Sequence, residues 1–178
     1  EEEFRSLLEG QRIVFEQTYS DARVDIRYLP QAHLLKAMLN DSVRVVFTTC
    51  APGGEQKDYF RSRQLSTPMT PVLVDAVAVL TGPRQQALTL TVEDLRQRLS
   101  TPEAVTLFES TGSGVARTVV DSLLGGDASA VRGASAAEGL NNLISRLERD
   151  TTAIGLIPFS LISDLDDPVC KAIRTRTQ

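Results

Sequence analysis

A short polar loop, Thr111-Gly112-Ser113-Gly114, carries the residues best suited to bind an anion. Glycine lets the backbone approach a ligand closely, and Ser113 can cap a helix whose first free amides then point at a negative group. Arg117 adds a guanidinium one helical turn further on. The same residues fit plain helix capping, which needs no ligand. The spacing therefore predicts either a simple cap or an oxyanion-binding loop.

The loop lacks the residues of three catalytic or nucleotide-binding motifs. A P-loop needs Lys-Ser or Lys-Thr after its second glycine, and a dinucleotide fingerprint needs a third glycine where Arg117 stands. A nucleophile elbow needs glycine two residues on either side of the serine, where Thr111 and Val115 stand. His33, the single histidine, lies on a helix-like run, and no sequence feature brings a base to Ser113. We therefore expect no enzyme, no metal site and no cofactor.

Composition describes an ordinary globular protein. The chain has 178 residues, 42% hydrophobic content and a net charge of −4 with mixed signs. It therefore offers no basic surface for a nucleic acid and no polybasic segment for a membrane. Cys50 and Cys170 are the two cysteines, so a four-cysteine zinc site is excluded, whereas spacing leaves a single disulfide open.

Apolar periodicity predicts alternating helices and strands, and hence an α/β architecture with a mainly parallel sheet. Val72–Leu80 is the longest apolar run and predicts a central strand, in which Asp75 would need hydrogen-bond partners. Ser135-Ala136-Ala137-Glu138 predicts a capping box for a helix through about Leu147. The other predicted helices cover residues 3–19, 30–39, 55–63, 91–99 and 114–124, and the other strands 24–28, 43–47, 104–108 and 153–159.

Two loops satisfy the rule that ligands bind outside the carboxyl ends of parallel strands. Thr48–Gly54 and Thr111–Gly114 each follow an apolar strand and precede a helix. Both present backbone amides and hydroxyl groups. A cleft between these loops is the expected binding site.

Four ordered motifs resemble one family. They are Asp75-Ala-Val-Ala-Val, Leu90-Thr-Val-Glu-Asp-Leu, Phe108-Glu-Ser-Thr-Gly-Ser-Gly and Ala153-Ile-Gly-Leu-Ile-Pro-Phe. Together they resemble the substrate-binding subunit of phosphate ABC transporters, a periplasmic phosphate-binding protein of the type 2 superfamily.

The resemblance implies a type 2 periplasmic-binding-protein fold with two α/β lobes, mainly parallel sheets and two crossing strands. Residues 1–74 and 157–178 would form lobe I, and residues 75–156 would form lobe II. The chain would lack the strand that precedes Phe4 in the family and is expected to be trimmed at one or both ends.

The resemblance also implies capture of phosphate or a similar oxyanion between the lobes for an ABC permease. The protein would be exported to the periplasm or cell envelope, with or without a lipid anchor, and would act as a monomer. Its expected ligand-binding residues are Phe4, Thr48, Thr49, Gly112, Ser113, Gly114 and Arg117.

Four positions differ from the family pattern. Glu3 stands where a serine or threonine is expected, Cys50 replaces a charged ligand residue, and Val115 replaces a threonine. Glu109 falls where some members carry a phosphate-binding arginine. A carboxylate about 5 Å from a bound anion would repel it by a few kcal/mol. These differences favour an alternative, a non-enzymatic interaction or sensor module on the same fold that has lost phosphate binding.

Overall fold

The computed structural model describes Glu1, residues 4–85 and residues 88–178, and for Ser6, Gln31 and Ala32 it describes the backbone alone. The chain divides into two compact units, Glu1–Thr70 and Pro71–Gln178, called unit 1 and unit 2.

The elements follow in chain order. Unit 1 contains α1 (Arg5–Thr18), α2 (Gln31–Leu39) and α3 (Gly54–Ser62). Unit 2 contains β1 (Val77–Thr81), α4 (Val92–Ser100), β2 (Thr106–Phe108), α5 (Gly114–Leu123), a 3-10 turn (Ala128–Ala130), β3 (Ala134–Ala136), α6 (Leu140–Arg149), β4 (Ile154–Pro158), α7 (Ser160–Ser163) and α8 (Pro168–Arg176).

Unit 1 contains three helices and a few buried apolar side chains. Phe4, Leu34 and Phe60 are buried, and the Phe4 ring lies 6.4 Å from the Phe47 ring, centroid to centroid. The predicted helices over 3–19, 30–39 and 55–63 are confirmed as α1, α2 and α3. Apolar spacing and the helix start at Pro30 were sufficient signals for them.

The predicted strands over 24–28 and 43–47 are wrong. Both segments line one groove of about 700 Å³ beside α1, but neither is a strand. In the described part of the chain no backbone hydrogen bond joins one segment to the other. Val45 is 70% exposed, although the sequence predicted burial. A β-strand needs a ladder with a neighbouring strand, and an apolar run does not supply one.

Unit 2 is built on a four-stranded sheet in the order β1-β4-β2-β3. β2 pairs in parallel with both β3 and β4, while β1 pairs antiparallel with β4. The predicted α/β class with a mainly parallel arrangement is confirmed for this sheet. The strand predicted over Ala153–Phe159 forms β4, whose five residues are all buried.

Helices cover both faces of this sheet. The Ile157 side chain of β4 packs in one hydrophobic core with residues of α6 and α8. The Leu156 side chain packs in a second core with residues of α4 and α5. Gly155 lets α6 approach closely, because a Cβ there would lie 2.7 Å from the Leu143 Cδ2 atom. Burial on both faces explains why β4 is an uninterrupted apolar run.

Two predictions in unit 2 are corrected. The strand predicted over Val72–Leu80 begins at Val77 and is an edge strand rather than a central one, and Val74 before it is 98% exposed. The capping box predicted at Ser135 is absent, since Ser135 lies in β3 and pairs with Leu107. Helix α6 instead begins after Gly139, whose φ of +115° few other residues tolerate.

The carboxyl-terminal helix packs within unit 2. Thr81 and Gln178 exchange two backbone hydrogen bonds of 2.8 and 2.9 Å, and Arg176 binds the Glu148 carboxylate on α6. Residues 157–178 thus belong to unit 2, whereas the resemblance implies that they belong to lobe I. The lobe assignment stays a prediction.

Candidate oxyanion-binding site

The carboxyl ends of β2, β3 and β4 meet at one edge of the unit 2 sheet, because these strands are parallel. The loops after β2 and β3 are joined there by two backbone hydrogen bonds. The Ala137 amide donates to the Phe108 carbonyl at 2.8 Å, and the Gly139 amide donates to the Glu109 carbonyl at 2.7 Å. The loop that carries Ser113 is therefore held at the edge where ligands bind in open α/β sheets.

Ser113 is the N-cap of α5. Its backbone is extended, and its Oγ accepts a hydrogen bond from the Ala116 amide at 3.1 Å. Gly112 just before it has a φ of +74°, which lets the chain turn into the helix. A serine hydroxyl has one donor hydrogen besides its acceptor lone pairs, so Ser113 can cap the helix and still donate to an anion.

Arg117 lies one turn into α5, on the same face as Ser113. Its Nε lies 3.6 Å from the Asp121 Oδ2, and both side chains are about half exposed. An exposed pair of this length contributes about 0–1 kcal/mol. A bound oxyanion could therefore draw the guanidinium away from Asp121 at small cost.

Val115 is a core residue. It is buried and packs with Val119 and Leu156 on one face of the sheet. The position where the family pattern has a threonine thus serves packing here, and it supplies no hydroxyl for a ligand. Glu109 is held in the loop by its backbone carbonyl, the acceptor for Gly139.

Asp75 and Ser160 form a polar pair at this edge that sequence reasoning did not assign to the site. Asp75 Oδ2 accepts from the Ser160 hydroxyl at 2.6 Å, and Oδ1 accepts from the Ser160 amide at 3.1 Å and the Ala76 amide at 2.7 Å. The start of β1 lies beside the end of β4, since the two strands are antiparallel. The signal for this pair was the lone carboxylate in an apolar run, which required hydrogen-bond partners.

In unit 1 the predicted donors Thr48 and Thr49 surround the Glu1 carboxylate. Glu1 Oε1 accepts from the Thr48 hydroxyl at 3.1 Å. Glu1 Oε2 accepts from the Thr49 hydroxyl at 2.8 Å and from the Thr49 amide at 3.2 Å. Glu1 is 5% exposed. The loop predicted to bind an oxyanion therefore binds a carboxylate of its own chain.

The other predicted contacts of unit 1 lie around the same loop. Phe4 was expected to contact the ligand, but its backbone amide already donates to the Glu1 carbonyl at 3.3 Å. The Cys50 amide donates to the Thr48 Oγ1 at 3.3 Å, which fixes the loop. Glu3, one of the two expected sources of repulsion, lies outside the described residues.

The structure thus gathers the predicted residues into two sets. Phe4, Thr48 and Thr49 lie together around Glu1 in unit 1, and Gly112, Ser113, Gly114 and Arg117 lie together at the start of α5 in unit 2. That both sets contact one ligand in a shared cleft stays a prediction.

Within the described residues, no group of three or more His, Cys, Asp or Glu side chains is arranged to hold a metal ion, and neither cysteine forms a disulfide. Over the same ranges no helix has the length and apolar character needed to cross a bilayer.

Comparison with known proteins identifies the fold of the chain. No protein-family model matches the chain, and no curated protein sequence matches it. A crystal structure from Clostridium perfringens, described as a phosphate ABC transporter substrate-binding protein with bound phosphate, is similar over 88% of this chain and 67% of that chain. The TM-score is 0.69 and the sequence identity is 17%. The chain has a periplasmic-binding-protein fold. At this identity the similarity describes the fold and leaves the ligand to be argued from the site.

Proposed function

We propose that this chain is a solute-binding protein that captures phosphate or a similar oxyanion for an ABC importer. The observation that carries the proposal is the set of three donors on Thr48 and Thr49 that converge on one carboxylate. The fold, shared with a protein crystallised with bound phosphate, supports it.

Phosphate suits these donors for a chemical reason. Its oxygens are hydrogen-bond acceptors like those of a carboxylate, and a hydrogen bond to a charged group contributes about 1.5–3 kcal/mol. In the proposed complex Thr48, Thr49 and Ser113 donate hydrogen bonds to the ligand, and Arg117 supplies positive charge. The protein binds and presents its ligand to a permease and breaks no bond, so we assign no catalytic residue. We place it in the periplasm or cell envelope.

Isothermal titration calorimetry with phosphate tests the proposal. We expect heat of binding for the wild type and at least about tenfold weaker binding for Arg117→Gln, because the variant lacks a charged donor. Arg149→Gln is the matched control, since Arg149 lies in the last turn of α6 and is exposed. Absence of binding heat and of any thermal shift at millimolar phosphate would refute capture of phosphate.

The second candidate is a non-enzymatic interaction or sensor module on the same fold. The hydrogen bonds from Thr48 and Thr49 to Glu1 favour this second candidate, because donors that are already hydrogen-bonded have less affinity for a free anion. Copurification with a protein of the cell envelope other than a permease, together with no phosphate binding, would support this candidate. A tight phosphate complex would exclude it.

A further inference from the structure

The Glu1 carboxylate accepts hydrogen bonds from three donors of the Thr48–Thr49 loop. The Thr49 amide and the Thr49 hydroxyl each have one hydrogen, and both point at Glu1 Oε2. The single hydrogen of the Thr48 hydroxyl has Glu1 Oε1 and the Cys50 carbonyl as acceptors, at 3.1 and 3.2 Å. An external anion cannot use these hydrogens while Glu1 holds them.

Charge makes the two anions mutually exclusive as well. An oxyanion on Thr49 would lie within a few ångströms of the Glu1 carboxylate, where like charges repel strongly. Glu1 is almost completely buried, so water screens this repulsion poorly. An incoming oxyanion must therefore displace the carboxylate from the loop.

We propose that Glu1 sets the affinity of the unit 1 site for oxyanions, as a resident anion that competes with the free ligand for Thr48 and Thr49. This proposal rests on the proposed function, since it concerns the same donors. It lowers by the same factor the affinity for every oxyanion that uses these donors. It also explains how a loop with good donor chemistry coexists with an acidic residue.

Two variants of the full chain test the proposal. Glu1→Gln removes the charge and keeps the shape, and Glu1→Ala opens a space in which free acetate can replace the missing carboxylate. Asp21→Asn is the control, because it removes one negative charge from an exposed turn of unit 1. The probes are inorganic phosphate and acetate, followed by calorimetry and by the NMR shift of the Thr49 amide. Thermal melting shows which variants are folded.

We expect Glu1→Gln to bind phosphate at least about tenfold more tightly than the wild type, and Asp21→Asn to bind like the wild type. Acetate should move the Thr49 amide in Glu1→Ala and leave it unmoved in the wild type. If acetate behaves in this way while no variant binds phosphate, Glu1 is the resident anion and the proposed function is wrong. If the folded wild type and Glu1→Ala bind phosphate equally, or if acetate leaves the Thr49 amide of Glu1→Ala unmoved, the proposal is overturned.

Discussion

Replacement of Ser113 separates helix capping from ligand binding. Its Oγ accepts from the Ala116 amide at 3.1 Å, and the proposed function adds donation by the same hydroxyl to an oxyanion. Ser113→Ala removes both interactions. Ser113→Asp keeps an acceptor for the cap and places a negative charge at the ligand. Ser113→Asp should therefore be more stable than Ser113→Ala but should bind an oxyanion more weakly.

The magnitudes follow from the geometry. Loss of a serine N-cap costs about 0.5–2 kcal/mol, so Ser113→Ala should lower the free energy of unfolding by about 1 kcal/mol. Aspartate is an equally good N-cap, and its charge at a helix start contributes about 0.3–1 kcal/mol. An oxyanion about 4 Å from that carboxylate is repelled by about 4 kcal/mol at an effective dielectric of 20, which is close to a thousandfold in affinity. Ser113→Ala should bind about 10–100-fold more weakly than the wild type, from one lost charge-assisted hydrogen bond.

Urea unfolding and calorimetry with phosphate measure the two effects. Thr91→Ala is the control, because Thr91 caps α4 by accepting from the Asp94 amide at 3.1 Å and lies outside the candidate site. It should lose about as much stability as Ser113→Ala and bind phosphate like the wild type. If Ser113→Asp binds phosphate within threefold of the wild type, Ser113 is a cap and no ligand contact. If Ser113→Ala unfolds like the wild type, the capping role is wrong.

Three further predictions concern the frame of unit 2. Leu143→Ala should destabilise the fold by about 2–5 kcal/mol in urea unfolding, because Leu143 is fully buried in the core between the sheet and α6; a loss below 1 kcal/mol would contradict this packing. Thr106→Val should raise stability by about 1 kcal/mol in the same assay, since the buried Thr106 hydroxyl has no hydrogen-bond partner among the described residues; a lower stability would show that the hydroxyl is bonded. The hydrogen bond from Arg176 lowers the pKa of Glu148 below its ordinary value of 4.5, so its stabilisation is present above that pH and is lost as the pH falls through the lowered pKa. The melting temperature of the wild type should therefore fall more steeply below pH 4.5 than that of Glu148→Gln, and parallel profiles would refute the coupling.

The predictions that succeeded rest on signals within one short segment. Ser113 was expected to cap a helix, and its hydroxyl does accept from the first turn of α5. The run AIGLIPF was expected to be a buried strand and forms β4. Capping and side-chain periodicity depend on residues at most a few positions apart, so the sequence states them directly.

The predictions that failed depended on distant partners. Residues 43–47 have the composition of a strand, but strand pairing is decided by a second segment that sequence periodicity does not specify. Ser135 and Glu138 have the spacing of a capping box, yet β2 lies beside Ser135 and takes it into the sheet ladder. The β2–β3 pairing forms hydrogen bonds along several residues, whereas a capping box would have satisfied only two backbone donors. The tertiary interaction therefore prevails over the local one.

The candidate site also depends on contacts between residues that are far apart in the sequence. The sequence predicted the donors Thr48 and Thr49 because a turn after an apolar run exposes hydroxyls and amides. It did not predict what those donors bind, since Glu1 and Thr49 are 48 positions apart and both are common polar residues. Repulsion was expected from Glu3 or Glu109, whereas the structure places the Glu1 carboxylate on the threonines. Donor chemistry is thus a local property that can be predicted, while occupancy of the donors depends on the folded chain. Under the proposed function, the affinity for oxyanions would therefore depend on the competition between Glu1 and the ligand.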